Sequence, residues 1–264
     1  MRWKTIMPLL ALLLIAAPSF VWAESSVSYG WGFVKSKDGS IPEIGKYQQL
    51  LDEYNSYYLD DSGEKTVYIT FDNGYEQGYT GDILDVLKKH DVPAAFFITG
   101  HYVSSAPDLV KRMVDEGHIV GNHSYHHPDL TKVSKEKMKQ ELEMLEDAVA
   151  DLTDQDEMHY LRAPRGTFSA RSLKWSEELG YTNVFWSLAY ADWRTGEQKG
   201  WQYAYDQVMA QMHPGAVVLL HAVSEDNAIA LEKLIIELKK QGYSFRTLDD
   251  LVKQDILPQA ITQF

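Results

Sequence analysis

Two stretches of this chain carry side chains of the types that activate water. Thr70-Phe71-Asp72-Asn73-Gly74 ends an apolar run, and His123-Ser124-Tyr125-His126-His127-Pro128 follows further along. A carboxylate at a strand end can take a proton from water. Two imidazoles four residues apart, His123 and His127, can share one divalent ion, because i, i+4 spacing on a helical turn puts both on one face. Together these are the parts of a metal-assisted hydrolase. His126 lies between the pair and is expected to point elsewhere. Taken alone, Asp72 before Asn73-Gly74 is a turn former and the histidines are a surface feature. The combination is what favours catalysis.

Such groups need a rigid support. From Lys65 onward, short apolar runs alternate with amphipathic ones. Strands are expected at 66–71, 93–98, 118–121, 160–163, 183–186, 216–221 and 243–246. Helices are expected at 80–90, 106–116, 134–151, 169–179, 201–211 and 227–241. Gly117, Gly180 and Gly242 stop three of these helices, and Ser134 opens one with a capping box. The alternation predicts an α/β fold with a parallel sheet and outer helices. Seven strands fit a distorted (β/α) barrel, closed or nearly closed, better than an open sheet. In a barrel, catalytic residues gather at the C-terminal strand ends. Asp72, His123, Arg162, Asp192 and His221 all fall at or just after such ends.

Residues 24–64 are irregular, aromatic and glycine-rich, and read as an N-terminal extension with a short helix near 45–57. Residues 65–264 form the expected catalytic domain. Residues 1–23 read as a secretory signal peptide: Arg2 and Lys4, an apolar run, then Val21-Trp22-Ala23 before Glu24. The domain is therefore expected outside the cytoplasmic membrane, in the cell wall or a spore envelope. There are no cysteines, which excludes thiolate chemistry and disulfides. The net charge is −13, and removing Arg2 and Lys4 with the leader makes it −15. Nucleic acid is excluded as a partner by repulsion. The 7 Trp and 16 Tyr supply a core and also the stacking surfaces a carbohydrate groove uses.

Five blocks, in order over about residues 65 to 250, resemble the polysaccharide deacetylase family, the NodB-like carbohydrate esterases of family 4. Thr-Phe-Asp-Asn-Gly at 70–74 matches the first motif, His123-x-x-x-His127 the second, and Arg162-Ala163-Pro164-Arg165-Gly166 the third. Asp192-Trp193 matches the fourth and Leu219-Leu220-His221 the fifth. The resemblance implies a barrel of the NodB-homology type. It implies Asp72 as base, His123 and His127 as metal ligands, Arg162 as the residue that orients the base, and His221 as general acid. Asp192 would belong to the acid's network, Trp193 to a groove wall that stacks on sugar, and Leu219 to the acetyl pocket.

The blocks look most like the branch that makes muramic δ-lactam in spore-forming bacteria. That implies removal of the acetyl group from N-acetylmuramic acid in peptide-stripped peptidoglycan, so the expected partner is a glycan strand. Arg165 fits: the muramic sugar adds a lactyl carboxylate, and Arg holds carboxylates bidentately. Asn73 departs from the wider family, which has Asp there. It offers the metal only a neutral oxygen, so a weakly bound ion is expected, with Zn²⁺ suited to the nitrogen ligands. On this reading Asn73→Asp should tighten metal binding. Two alternatives stay open: a deacetylase of N-acetylglucosamine on peptidoglycan or chitin-like glycan, and a non-catalytic glycan-binding module. His90, His101, His118, His159 and His213 match no motif and are expected at the surface or at helix ends.

Overall fold

All eight residues of the run Thr66–Asn73 are buried, as a strand must be when helices cover one face and a barrel interior the other. In the computed structural model, which describes residues 25–256, this strand is the centre of a parallel sheet. The expected signal peptide lies outside the described residues. The strands are β1 (Tyr29–Gly30), β2 (Ser56–Tyr57), β3 (Thr66–Asn73), β4 (Ala94–Ile98), β5 (Ile119–Asn122), β6 (Tyr160–Leu161), β7 (Thr167–Phe168), β8 (Thr182–Val184), β9 (Ala216–His221) and β10 (Ser244–Phe245). The helices are α1 (Gln48–Glu53), α2 (Thr80–Lys89), α3 (Gly100–Ser105), α4 (Pro107–Asp115), α5 (Lys135–Ala150), α6 (Ala170–Glu178), α7 (Trp201–Met209), α8 (Glu225–Lys240) and α9 (Leu248–Ile256).

The seven expected strands are β3, β4, β5, β6, β8, β9 and β10. Strand β3 pairs with β9 along one edge, and with β4 and the short β10 along the other. From β4 the sheet continues through β5 and β6 to β8. The ring then closes through the chain just after β8. The Ser187 N–H donates to the Val217 carbonyl at 3.0 Å, and the Leu219 N–H to the Leu188 carbonyl at 2.9 Å. A two-residue seam in place of a full strand ladder is what distorts the barrel. His213 fastens it: fully buried, it bonds Ser187 Oγ at 2.9 Å and the Gln211 carbonyl at 2.8 Å. His213 and the buried His118 are thus core residues, against the expectation of a surface place.

Period-2 alternation sorts the side chains. Val67, Ile69 and Phe71 face the helices, and Tyr68 faces the interior with Ala95, Phe97, Tyr160 and Val217. Thr70 and Asp72 share the parity of Tyr68. Asn73 shares that of Phe71.

Several local expectations need correction. Helix α3 breaks off ahead of α4 because Thr99 caps its start by accepting from the Tyr102 N–H and Pro107 opens the next helix. Helix α9 lies beyond the expected elements. Helix α8 starts two residues early because Ser224 caps it. Ser134 accepts from the Lys137 N–H, but the third helical residue is a lysine, so no reciprocal capping box forms. The reciprocal box is at Ser169 and Ser172.

The N-terminal extension adds β1 and β2 and packs through aromatics. Trp31 stacks on Phe185 at 4.5 Å, and its indole N–H donates to the Trp186 carbonyl at 2.9 Å. Asp60 plugs the barrel foot, accepting from Thr66 Oγ1 at 2.7 Å and the Tyr68 hydroxyl at 2.8 Å. Its own N–H donates to the Gly215 carbonyl at 2.9 Å. Gly215 holds φ +74, and a Cβ there would lie 1.9 Å from the Asp60 carbonyl oxygen. Gly215→Ala is expected to cost ~2–4 kcal/mol through the left-handed backbone and the clash. An unchanged urea midpoint would contradict this.

Candidate active site

The C-terminal strand ends open into a cleft of about 970 Å³. Asp72 is the penultimate residue of β3 and His221 ends β9, and the two are paired in register on adjacent parallel strands. Their side chains therefore rise side by side from the barrel mouth.

Each is held by a buried partner. Arg162 is fully buried across the barrel interior, with its guanidinium carbon 4.1 Å from the Phe97 ring centre. Its Nη1 donates to Asp72 Oδ1 at 2.9 Å and to Thr70 Oγ1 at 2.8 Å. Its Nε donates to the Val184 carbonyl at 3.0 Å, and Nη2 to the Phe185 carbonyl at 3.3 Å. Burial acts to raise the Asp72 carboxyl, but the positive charge around it, Arg162 in contact, outweighs burial and holds it below the usual range. Asp72 is thus a carboxylate fixed by one oxygen, with Oδ2 free to face the cleft. Asp192 is buried under His221 and accepts from its Nδ1 and its backbone N–H, each at 2.8 Å. Asn227 donates to the same carboxylate at 2.6 Å. Burial works against a charge on His221, but Asp192 and then Asp72 outweigh it and raise its pKa.

His123 and His127 meet in the cleft with ring centres 4.8 Å apart. They do not ride a helical turn as the spacing suggested. The segment is a loop in which Ser124 (φ 62) and His127 (φ 56) are left-handed. The His123 Nδ1 lies 2.8 Å from the Arg162 carbonyl, which can only accept, so Nδ1 carries the proton and Nε2 keeps its lone pair. That Nε2 is 3.6 Å from Asp72 Oδ2. Burial, then the neighbouring positive charge, lowers the His127 pKa to about 4, leaving it neutral at working pH.

Asn73 does not line the cleft. Strand alternation sends it toward the helices, where Nδ2 approaches Thr80 Oγ1 at 3.4 Å and Oδ1 is buried with no partner. The two neutral imidazoles fit a divalent ion that accepts nitrogen ligands, Zn²⁺ above all. They fit it weakly, since neither is anionic. Among the described residues no group of three His, Asp or Glu side chains is placed to hold an ion.

The cleft also brings in Leu219, Trp193 and Arg165. Trp193 is 51% exposed, with its ring 5.7 Å from that of His221. Arg165 sits at φ 60 in the turn after β6, exposed, without a protein partner among the described residues. Gly166 beside it must be small: a Cβ would meet Trp186 at 2.8 Å. Sequence reasoning missed Tyr75, His101, Tyr125 and Trp186 as cleft residues, and wrongly turned His126 away. His126 lines the cleft because the buried Glu141 holds its Nδ1 at 3.0 Å. No local pattern marks these residues. They arrive through loop paths, which short motifs do not encode.

A buried carboxylate and an imidazole of raised pKa, beside an imidazole pair at a barrel mouth, have the chemistry to hydrolyse amide or ester bonds. The chain belongs to the polysaccharide deacetylase family, the carbohydrate esterases of family 4, whose family model matches residues 60–184. Deacetylases of this family are metal-dependent in general. Peptidoglycan-N-acetylmuramic acid deacetylase PdaA of Bacillus subtilis is 48% identical over 253 residues, 96% of each chain. An uncharacterized 30.6 kDa protein of Geobacillus stearothermophilus is 58% identical over 225 residues, 85% of each chain. The solved structure of the Bacillus subtilis PdaA, a family 4 carbohydrate esterase, superposes with a TM-score of 0.86. It is 50% identical, covering 88% of this chain and 99% of that one.

Proposed function

We propose that this protein removes the acetyl group from N-acetylmuramic acid in peptide-stripped peptidoglycan. The carrying observation is the pair Asp72 and His221, in register on adjacent strands and each locked by a buried partner. The similarity to PdaA along nearly the whole chain supports the peptidoglycan substrate. Asp72 takes the proton of the attacking water at Oδ2. Arg162 keeps that carboxylate ionised and aimed. A Zn²⁺ held by His123 and His127 would polarise the acetamide carbonyl and lower the pKa of water. The backbone N–H of Arg165 stabilises the developing oxyanion. His221 gives its Nε2 proton to the departing amine, and Asp192 orients the ring and stabilises its charge. Leu219 faces the acetyl methyl, and Trp193 stacks on the sugar.

The freed amine then closes on the lactyl carboxylate of the same sugar with loss of water, giving the muramic δ-lactam of spore cortex. The protein acts after export, with residues 1–23 as its leader. Arg165 selects the muramic sugar by pairing with the lactyl carboxylate. Arg165→Tyr should lower kcat/KM on muramic substrates by about 10–100-fold more than on glucosamine ones, the size of a lost charged hydrogen bond. Equal losses on both would sink this selection and favour a glucosamine deacetylase.

The acid limb and the alkaline limb of the rate profile belong to different groups. His221 is active when protonated, so activity falls as pH rises through its raised pKa. Asp192→Asn removes the anion that raises it. The alkaline limb of kcat/KM should therefore move down by about one pH unit or more. An unmoved limb would remove Asp192 from the acid's network.

A further inference from the structure

His126 is wired as His221 is. One buried carboxylate, Asp192, takes both the backbone N–H and the Nδ1 of His221. Glu141 does the same for His126: Oε2 accepts from the backbone N–H at 2.8 Å, and Oε1 from Nδ1 at 3.0 Å. Glu141 stands on α5 with 1% of its side chain exposed, and Lys137, one helical turn back, pairs with Oε1 at 2.8 Å. Burial works against its charge, but Lys137 and the two His126 groups outweigh it and hold the carboxyl below the usual range. A carboxylate only accepts, so in the neutral ring the proton sits on Nδ1 and Nε2 keeps its lone pair.

The ring itself is open. The His126 side chain is 58% exposed and lines the cleft, and its Nε2 makes no hydrogen bond among the described residues. Tyr125 braces it edge-on, with ring centres 4.7 Å apart. Behind Tyr125 is Gly100, whose N–H donates to the Tyr125 carbonyl at 3.0 Å and where a Cβ would lie 2.5 Å from the tyrosine ring. Burial of a carboxylate is costly, and what this one secures is the direction of a solvent-facing imidazole. Strand order gives that direction a use. Strand β5, which leads to His126, stands two places from β3 by way of β4. The seam segment that leads to Trp193 stands two places away on the other side, by way of β9. Around the barrel mouth, Asp72 thus lies between Trp193 and His126.

We propose that His126 is a glycan-binding residue and Glu141 the positioning residue behind it. With one sugar on Trp193 and its acetamide over Asp72, the strand carries its next sugar to the loop after β5, where His126 Nε2 accepts from a hydroxyl. This rests on the glycan deacetylase reading above. It makes the protein favour fragments long enough to reach past the catalytic centre.

The test is kcat/KM on peptide-stripped glycan fragments of two and of six sugars, for the native protein, His126→Asn, His126→Gln and Glu141→Gln. Zinc titration calorimetry and thermal melts accompany each. Asn keeps an N–H near the place of Nδ1 for Glu141 but has nothing at the place of Nε2. It should lose about 3–10-fold more on the long fragment than on the short one, the size of a lost hydrogen bond, and the extra loss should lie in KM. Gln reaches further and can set its amide oxygen near the place of Nε2, so His126→Gln should recover part of the long-fragment rate. Glu141→Gln, which leaves the ring loosely held, should show a smaller loss of the same kind. Zinc affinity should match the native value throughout. Equal losses on both lengths would make His126 a structural prop, and a zinc affinity lowered tenfold would make it part of the metal site; either overturns the glycan role. No acetyl loss from either fragment by the native protein, with Zn²⁺ supplied, would overturn the deacetylase reading itself.

Discussion

Asp72→Asn is expected to lower kcat by about 10³-fold while the protein stays folded and still binds its glycan. The side chain keeps its volume and can still accept from Arg162, so the barrel mouth keeps its shape. What is lost is the acceptor for the water proton. His221 does not replace it, because Asp192 pushes that imidazole toward its protonated form, and Arg162 cannot give up a proton at neutral pH. The loss should fall on kcat, with KM little changed, because Asp72 faces the water and not the sugar. Steady-state kinetics on peptide-stripped glycan fragments checks this. A variant with more than a tenth of native kcat would take Asp72 out of the base role.

Arg162→Met should damage stability and rate together. The guanidinium serves two carbonyls near the barrel seam, one threonine hydroxyl and Asp72, all in the barrel interior. Removing it leaves Asp72 buried without its contacting counter-charge, a change that costs ~3–5 kcal/mol in comparable buried pairs. The sign of the accompanying pH effect follows from Asp72. Its folded pKa lies below the ordinary value, so its base form persists above that pKa and is lost as pH falls through it. Without Arg162 the pKa rises, and the acid limb of kcat/KM moves to higher pH. The stability that the ion pair contributes above the ordinary carboxylate pKa is lost with it. Urea unfolding at neutral pH and a pH–rate profile of whatever folded protein remains are the two readouts. Arg162→Lys is the gentler companion: it keeps a charge near Asp72 but not the fork that reaches Val184 and Phe185. It should show a smaller shift of the acid limb. A native limb and a native urea midpoint in Arg162→Met would contradict the role.

Much of this was legible in the sequence because the governing patterns are local. The largely apolar run Val67–Phe71 of β3, broken only by Thr70, announces a buried strand, and the glycine stops bound the helices. Asp72, Arg162 and His221 can be placed because strand ends carry them. The histidine pair was legible as a pair but not in its geometry. Ser124 and His127 adopt left-handed backbone, which no spacing rule anticipates, and the rings meet across a loop turn. The fate of Asn73 follows from strand parity, since residue 72 facing in sends 73 out. Its contact with Thr80 could not be seen, because that hydroxyl reaches it from the first residue of α2. The seam at Ser187 and Leu188 was hidden for a similar reason: it is made by backbone bonds of a short irregular stretch.

The most direct test is mass spectrometry of glycan fragments after incubation with the protein, with and without a chelator. Peptide-stripped peptidoglycan and chitin oligomers are the two substrates, side by side. Loss of acetyl groups from muramic residues alone, abolished by the chelator and restored by Zn²⁺, is the predicted result. Acetyl loss from chitin at an equal rate would contradict the muramic assignment, and no loss from either substrate with Zn²⁺ supplied would leave a glycan-binding module in place of an enzyme.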